Sequence, residues 1–291
     1  MAPAGSSVEG HGVTSRSAQG RATGDGRGTR LRVAVHKFGS CDGCQLAFLN
    51  AGEALLALAG RVDIVHFAEA GPYAPEARVD VAFVEGSIGT PEEVERIRQV
   101  REHARVLVAM GACATSGGVQ ALRNLAQAAD WVARTYPDPG AVHVLAESRP
   151  VSAYVAVDLE LAGCPVTTRA VMEAVASFLR GAPPPAAREK LCLECKRAGH
   201  PCVLVTRGEP CMGPVTEAGC GALCPGLGRA CYGCFGPAEL SEPDALAGRL
   251  AALGLDAATV RRRLLAIHAG VPAFARAAVR IGEGARGGDD G

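Results

Sequence analysis

Aromatic residues are scarce in this chain of 291 residues, at 4% of the composition, with one tryptophan among them. Hydrophobic residues still make up 48%, so a core can form, but it must be built mainly from small aliphatic side chains. The chain also lacks an excess of either charge, because 30 basic residues balance 30 acidic ones. Nucleic acids and anionic membrane surfaces usually bind proteins with a basic excess, so the composition argues against both as main partners.

Long apolar runs are missing as well, since none reaches the roughly 18 residues that a membrane-spanning helix needs. Residues 1–30 contain no apolar stretch and no adjacent arginine pair, and so resemble neither a secretory nor a twin-arginine export signal. This segment, rich in Gly, Ser and Arg, is predicted to be disordered, and the protein is expected to be cytoplasmic. Because cytosolic thiols are kept reduced, the twelve cysteines are expected to bind metal rather than to form disulfides.

The first half of the chain alternates between strand and helix patterns. Strands are predicted at residues 31–38, 62–67, 79–86 and 104–112, and helices at 45–58, 90–103, after Gly118 and at 167–180. Thr90 and Pro91 form a strong helix start, with a threonine cap followed by proline at the first helical position. This alternation predicts an α/β fold with a flavodoxin-like, doubly wound parallel sheet.

Three consecutive prolines, residues 183–185, mark the clearest boundary in the sequence. Residues 31–182 are therefore predicted to form the flavodoxin-like domain, and residues 186–280 a second, Cys-rich domain that is mostly irregular. This second domain is expected to end in Ala- and Leu-rich helices, one of them capped by Asp256. Residues 281–291 are predicted to be a disordered tail.

Four cysteines accompany the predicted strands. Cys41 and Cys44 follow the first strand, Cys113 follows the fourth strand, and Cys164 precedes the last helix of this part. Ligands of open α/β sheets bind outside the carboxyl ends of the strands, so these thiols are expected to converge at one edge. Four cysteines fit an iron–sulfur cluster. A zinc site, or a thioredoxin-like dithiol whose thiol pKa is lowered by the helix dipole, remains an alternative.

Small and polar residues flank these four cysteines. Gly43 and Gly111 stand where the backbone would pass close to a bulky inorganic group, and backbone amides in such loops can hydrogen-bond to sulfur. Glu85 and Ser87 follow the third strand at the same edge of the sheet. They are predicted either to cap a helix or loop, or to support the cysteine ligands through hydrogen bonds.

Eight further cysteines lie within residues 192–234. The simplest division by sequence order gives two sets: Cys192, Cys195, Cys202 and Cys211, and then Cys220, Cys224, Cys231 and Cys234. Neighbouring cysteines of ferredoxins can interleave between two clusters, so this division stays open. Uneven spacing and abundant Gly and Pro favour clusters over zinc ribbons. Twelve cysteines suit three four-iron clusters, and three clusters without an evident substrate pocket indicate electron transfer.

Five motifs carry a resemblance to a known family: SCDGCQ at 40–45, EGS at 85–87, GACATSGG at 111–118, GCP at 163–165, and the Cys-rich run at 191–237. Over about residues 31–270, the chain resembles the small, electron-transferring subunit of [NiFe] hydrogenases. The likeness is to the cytoplasmic, NAD(P)-linked sulfhydrogenase type, whose small subunit is called delta. The resemblance implies reversible oxidation of H2, with electrons relayed through three [4Fe-4S] clusters.

The resemblance also implies roles for the cysteines and for partner subunits. The proximal cluster would be bound by Cys41, Cys44, Cys113 and Cys164, the medial cluster by the set at 220–234, and the distal cluster by the set at 192–211. No catalytic residue is expected on this chain, because the Ni–Fe site of the family lies on a separate large subunit. A diaphorase flavoprotein and an iron–sulfur subunit are implied as further partners.

Two positions depart from patterns seen in the family. Val166 stands where the family commonly has a second proline after GCP, which should alter the loop without removing a ligand. Cys192 stands where periplasmic relatives use a histidine, which agrees with the cytoplasmic type and leaves His200 as a bystander. His36, His268 and the other remaining histidines show no ligand spacing and are interpreted as ordinary core or surface residues.

Two other functions remain as alternatives. The cluster subunit of a complex I-like, quinone-linked enzyme shares the first domain, but typically has adjacent cysteines and no second cluster domain. A zinc-binding scaffold without redox activity would use the same ligand types. The SCDGC spacing and the eight additional cysteines favour the hydrogenase subunit.

Overall fold

A computed structural model of the protein describes residues 30–182 and 189–286. The first part is built on five parallel strands in the order β2-β1-β3-β4-β5. These strands are β1 (Leu31–Lys37), β2 (Val62–Phe67), β3 (Val79–Glu85), β4 (Ala104–Met110) and β5 (Leu159–Leu161). This is the flavodoxin-like order, in which the chain reverses direction across the sheet between β1 and β3, so the predicted fold class is confirmed.

Helices cover both faces of the sheet. They are α1 (Gly43–Leu49), α2 (Glu53–Leu58), α3 (Pro91–His103), α4 (Gly111–Ser116), α5 (Ala128–Thr135) and α6 (Thr168–Leu179). One core packs Phe83 of the sheet against Phe48 of α1 and Val171 of α6. The other core packs Leu107 of the sheet against Ile97 of α3. The predicted start of α3 is confirmed, because Thr90 and Glu93 form a reciprocal capping box.

Three details of this part differ from the sequence prediction. The helix predicted over 45–58 is broken into α1 and α2, because Gly52 between them adopts a φ of +52° that L side chains rarely adopt. The segment after Gly118 is a 3-10 helix, Gly118–Leu125, which precedes α5. Strand β5 was not predicted, since its three residues are defined by pairing with residues 108–110 of β4.

The second part is less regular. It contains the short helices α7 (Leu191–Arg197), α8 (Val203–Thr206) and α9 (Leu223–Gly226), then α10 (Pro243–Ala252), α11 (Ala257–Leu265) and α12 (Pro272–Arg286). As predicted, Asp256 caps α11 by accepting a hydrogen bond from the Thr259 N–H at 2.7 Å. The core of this part joins Leu250 and Phe274 of the C-terminal helices to Cys211 and Cys231.

The end of the chain corrects one prediction. Helix α12 continues to Arg286, so residues 281–286 are helical rather than disordered. Its preceding turns pack Phe274 and Ala277 into the core, and each added residue then extends the helix by one hydrogen bond. The predicted disorder of residues 1–29 and 287–291, and the boundary at residues 183–185, lie outside the described residues. Within the described ranges, no helix is both long and apolar enough to cross a membrane.

Candidate metal centres

The first set of cysteines, Cys41, Cys44, Cys113 and Cys164, lies at the carboxyl edge of the sheet. The loop after β1 carries Cys41 and the first turn of α1 carries Cys44. Cys113 is in α4, directly after β4, and Cys164 is in the loop after β5. The structure therefore brings together four thiols from three separate loops, as the topology predicts.

Hydrogen bonds hold these loops against one another. The N–H of Ala112 donates to the carbonyl of Gly163 at 2.7 Å, which joins the loops of Cys113 and Cys164. The N–H of Val166 donates to the Sγ of Cys44 at 3.5 Å. Val166, the residue that departs from the family pattern, is buried. Its backbone still supplies a donor to Cys44, a predicted ligand.

Glycines leave the room that the first set requires. A Cβ on Gly111 would lie 2.3 Å from the Sγ of Cys44, and the residue has a φ of +84°. A Cβ on Gly118 would lie 2.8 Å from the Sγ of Cys113. A Cβ on Gly43 would meet Cys41 and Pro165 at an ordinary contact distance of 3.4 Å. The need for glycine is therefore strongest at Gly111 and Gly118.

Glu85 contacts the backbone that carries Cys44. Its carboxylate accepts hydrogen bonds from the N–H groups of Cys44 at 3.1 Å and Gln45 at 3.2 Å, so it caps the first turn of α1. Glu85 is fully buried, and burial raises the pKa of its carboxyl although both amide donors oppose the rise. Both interpretations offered for this residue, helix capping and support of a cysteine, therefore describe the same contact.

Ser87 lies one step further from the cysteines. Its Oγ accepts a hydrogen bond from the Ser148 hydroxyl at 2.8 Å, and its backbone pairs with Gly39. The carbonyl of Gly39 also accepts from the side-chain amide of Gln120, whose Oε1 lies 3.1 Å from the Sγ of Cys113. Gln120 therefore contacts the first set directly, a role that its position in the sequence did not indicate.

Burial raises the thiol pKa of three members of the first set, Cys44, Cys113 and Cys164. Desolvation, followed by the charges of neighbouring groups, raises the pKa of the Cys44 thiol to about 12 and that of Cys113 to about 11. A cationic metal group would favour the thiolate forms of these buried residues.

The second set, Cys192, Cys195, Cys202 and Cys211, lines one cavity of about 30 Å³. Helix α7 carries Cys192 and Cys195, and Cys202 immediately precedes α8. A Cβ on Gly213 would lie 3.5 Å from the Sγ of Cys192 and 3.4 Å from that of Cys211, so this glycine borders both thiols. Cys202 is exposed, which places this set at the protein surface.

The third set, Cys220, Cys224, Cys231 and Cys234, lies between the other two. Burial raises the pKa of the Cys234 thiol to about 11, with smaller contributions from Cys220, Cys164 and Cys224. Cys164 is thus close enough to Cys234 to affect its ionisation, and the carbonyl of Cys234 contacts the ring of His268, which also contacts Ser116 of α4, so the third set adjoins the first. The N–H of Cys231 donates to the Sγ of Cys211 at 3.3 Å, so the third set also adjoins the second.

A histidine that sequence reasoning assigned no ligand role connects the two parts of the chain. His268 is buried, its Nε2 lies 3.2 Å from the carbonyl of Cys234, and its Nδ1 lies 2.8 Å from the Oγ of Ser116 in α4. Because a carbonyl only accepts, Nε2 carries the proton, and the single proton of the Ser116 hydroxyl is shared between Nδ1 and the carbonyl of Ala112, which lies 2.9 Å from the same Oγ. Burial lowers the pKa of His268, which favours this neutral form. No spacing rule reveals such a contact, because the two partners are 152 residues apart.

The chemistry of the three sets fits iron–sulfur clusters. In the described part of the chain, no three Cys, His, Asp or Glu side chains converge as the ligands of a single metal ion would. The thiolates of a four-iron cluster bind a polynuclear group, so they need not meet at a single ion. Sulfur donors, enclosing glycines and backbone N–H groups aimed at sulfur are the features that such a group requires.

Comparisons with known proteins were made by family model, by sequence and by structure. The family model described as NADH ubiquinone oxidoreductase, 20 Kd subunit, matches residues 41–178, which include the first set and end before the other eight cysteines. Sulfhydrogenase 2 subunit delta of Pyrococcus furiosus is 35% identical over 207 residues, covering 71% of this chain and 86% of the relative.

Two further likenesses extend this result. A subunit of the vhu F420-non-reducing hydrogenase of Methanocaldococcus jannaschii is 29% identical over 241 residues, covering 72% of this chain and 83% of the relative. A chain in a crystal structure of NAD+-reducing [NiFe]-hydrogenase in the H2-reduced state superimposes with a TM-score of 0.51 at 29% identity, covering 54% of this chain and 96% of that chain.

Fold and similarity together define a redox subunit of the hydrogenase class. The chain belongs to the family of [NiFe] hydrogenase small subunits, as its sequence motifs indicated. It is thus one subunit of an enzyme, and the Ni–Fe site lies on the other subunit.

Proposed function

We propose that this chain is the electron-transfer subunit of a cytoplasmic [NiFe] hydrogenase and that its twelve cysteines bind three [4Fe-4S] clusters. The observation that carries the proposal is the grouping of the thiols into three adjoining sets of four within a hydrogenase family. When bound, each cluster would supply a site that accepts and releases one electron. The proximal cluster belongs to a domain of residues 31–182 and the other two to a domain of residues 186–280.

The protein's own residues hold and tune these sites. The cysteines supply the ligands, and Gly111 and Gly118 keep the space beside Cys44 and Cys113 free of side chains. Backbone N–H groups donate to sulfur at Cys44 and Cys211, and the N–H of Gly233 donates to the Sγ of Cys231 at 3.3 Å. Such donors stabilise negative charge on sulfur, and this favours the reduced state of a bound cluster.

The positions of the three sets of cysteines indicate the order in which electrons would pass through the clusters. The first set adjoins the third through Cys164 and Cys234, and the third adjoins the second through Cys231 and Cys211. This supports a proximal, medial and distal order of first, third and second set. The first set would face the large subunit, where H2 is split into two protons and two electrons, and the second set would face the subunit that receives the electrons.

The electron acceptor is proposed to be NAD(P), reached through a diaphorase flavoprotein and an iron–sulfur subunit. Support comes from the likeness to a chain of an NAD+-reducing [NiFe]-hydrogenase and to a sulfhydrogenase delta subunit. The F420-non-reducing relative is named for a carrier that it does not reduce. The test is whether the purified complex reduces NAD or NADP under H2. Reduction would support the proposed acceptor, and its absence would contradict it.

The quinone-linked alternative rests on the match to the 20 Kd subunit family. That match ends at residue 178 and leaves eight cysteines without a counterpart in it. The hydrogenase relatives cover over two thirds of this chain, as expected for proteins that share more than its first part. Their coverage favours the hydrogenase subunit.

The proposal is tested by the metal content of the protein purified without oxygen. We expect about twelve iron atoms and about twelve acid-labile sulfides per chain, four for each set of thiolates. The dithionite-reduced protein should show electron paramagnetic resonance signals of reduced clusters. Zinc in place of iron, with no paramagnetic signal, would support the scaffold alternative and overturn the proposal.

The functional part of the proposal is tested by Cys41→Ser in the complex. Cys41 is exposed, so the substitution should cost little folding stability, yet H2-driven reduction of the acceptor should fall by roughly 100-fold or more. Arg262→Ala, an exposed position on α11, serves as the control and should leave the rate unchanged. Equal losses from both variants would indicate general destabilisation and contradict the relay.

A further inference from the structure

We infer that Glu194 is a positioning residue that fixes the loop of Cys220 against the helix that carries Cys192 and Cys195. The inference rests on the proposed function, in which the second and third sets each bind a cluster. Glu194 lies in α7 between the two cysteines of the helix, and its side chain is 21% exposed. In the sequence Glu194 lies among the cysteines of the second set, but its carboxylate accepts hydrogen bonds from the loop that carries Cys220 of the third set.

The contact consists of three backbone hydrogen bonds to one carboxylate. Oε2 accepts from the N–H of Gly219 at 3.1 Å and from the N–H of Ala222 at 3.2 Å. Oε1 accepts from the N–H of Gly221 at 2.9 Å. Cys220 lies inside this short segment, so the carboxylate holds the backbone on both sides of a predicted ligand. Hydrogen bonds to an ionised acceptor are among the stronger ones in proteins.

The backbone of this loop needs such a partner. Gly219, Gly221 and Ala222 all have positive φ values, of 133°, 71° and 51°. Successive amides in unusual conformations of this kind can form a concave cradle for an anion. Ala222 is not a glycine, so its left-handed conformation is strained, and it is also completely buried. The carboxylate of Glu194 is the anion that occupies the cradle.

Cys220 lies within the segment that Glu194 binds, one position after Gly219 and two positions before Ala222. A change in the position of these amides would therefore move the predicted ligand with them.

Arg169 extends the contact to the first part of the chain. It lies in α6, five positions after Cys164, and donates to the carbonyl of Gly219 at 3.0 Å. Its guanidinium is 3.9 Å from the carboxylate of Glu194. Helix α6, which follows Cys164 of the first set, and helix α7, which carries two cysteines of the second set, therefore both contact the loop of Cys220 in the third set. Because Arg169 is largely exposed, the amide contacts rather than this ion pair carry the inference.

The test compares Glu194→Ala and Glu194→Gln with Glu173→Gln in the full chain purified without oxygen. Alanine removes all three acceptor contacts. Glutamine keeps the shape but replaces one oxygen with an NH2 group that faces amide donors. Glu173 is exposed and lines the same cleft, so Glu173→Gln removes the same charge and leaves the loop contacts in place.

Two measurements are needed. Hydrogen exchange of the amides of residues 219–222 should become faster in Glu194→Ala, by a smaller factor in Glu194→Gln, and stay unchanged in Glu173→Gln. The third set should retain iron roughly 10- to 100-fold less tightly in the alanine variant, so that about eight of about twelve iron atoms remain per chain. The paramagnetic signal of one cluster should be lost while the others persist.

The outcomes separate the inference from the proposal that it rests on. A wild-type chain without iron would overturn the proposed function, and the inference with it. A wild-type chain with three clusters, together with Glu194 variants that keep both wild-type exchange and full iron, would overturn the inference alone. If Glu194→Gln and Glu173→Gln changed hydrogen exchange and iron content equally, the cause would be the charge of the cleft, and the inference would be overturned.

Discussion

The two parts of the molecule hold their cysteines by different means. In residues 30–182, the first set stands on loops of a sheet whose two cores are built from side chains such as Phe83 and Leu107. In residues 189–286, Cys211 and Cys231 are core residues themselves, and Cys195 and Cys220 pack against them. Of the first set only Cys44 joins a core, so the first part positions its ligands mainly with a scaffold, whereas in the second part several ligands are a portion of the scaffold.

The largest expected difference between the parts concerns loss of the proposed clusters. Removing iron with a chelator should leave the exchange protection of β1, β3 and β4 nearly intact, because their cores contain few of the ligands. Residues 189–237 should exchange at least about 10-fold faster, since their thiols lose the group that gathers them. Hydrogen exchange with and without iron measures both regions in one sample. Equal loss in the two regions would contradict the contrast.

A second test compares two glycines with positive φ, one from each part. Gly111→Ala places a Cβ 2.3 Å from the Sγ of Cys44, whereas a Cβ on Gly221 meets nothing within 4 Å. Both variants should lose about 1–2 kcal/mol from backbone strain. Gly111→Ala should lose a further 1–3 kcal/mol or so from crowding, together with the iron of the first set. Urea unfolding and iron analysis check these values, and equal costs would show that the thiol moves away freely.

The sequence predicts the scaffold of the first part better than the details of either site. Strands β1 to β4 and the capped helix α3 follow from local periodicity and capping residues, which need no tertiary partner. Strand β5 is too short to show a period and is defined by its pairing with β4. The contacts of Glu85, Glu194 and His268 join residues that are far apart in sequence, so spacing rules could not reveal them.

The smallest expected effect concerns the pH dependence of the first part. His36 of β1 is buried, with its ring 4.7 Å from that of His66. Burial, followed by the charges of His66 and Arg96, lowers the pKa of His36 from 6.5 to about 3. The unfolded chain therefore takes up a proton that the folded chain does not. The stabilising contribution of neutral His36 is fully present above pH 6.5 and is lost as the pH falls toward 3.

Replacing the residue should flatten this dependence. In His36→Gln, the decline in unfolding free energy between about pH 6.5 and 5.5 should be shallower by up to about 1.4 kcal/mol per pH unit. Urea unfolding at a series of pH values measures the slope. An unchanged slope would mean that His36 takes up its proton in the folded state as readily as in the unfolded chain.

The contact of His268 has a consequence for how the protein is made. His268 joins Ser116 to Cys234, and a Cβ on the neighbouring Gly270 would lie only 2.4 Å from the carbonyl of Ser116. Domains fold as they emerge from the ribosome, the N-terminal one first. The first set can thus form while the segment that anchors Cys234 beside it is still being translated. We expect maturation to follow this order, with the proposed relay becoming continuous only when the last helices are released and dock.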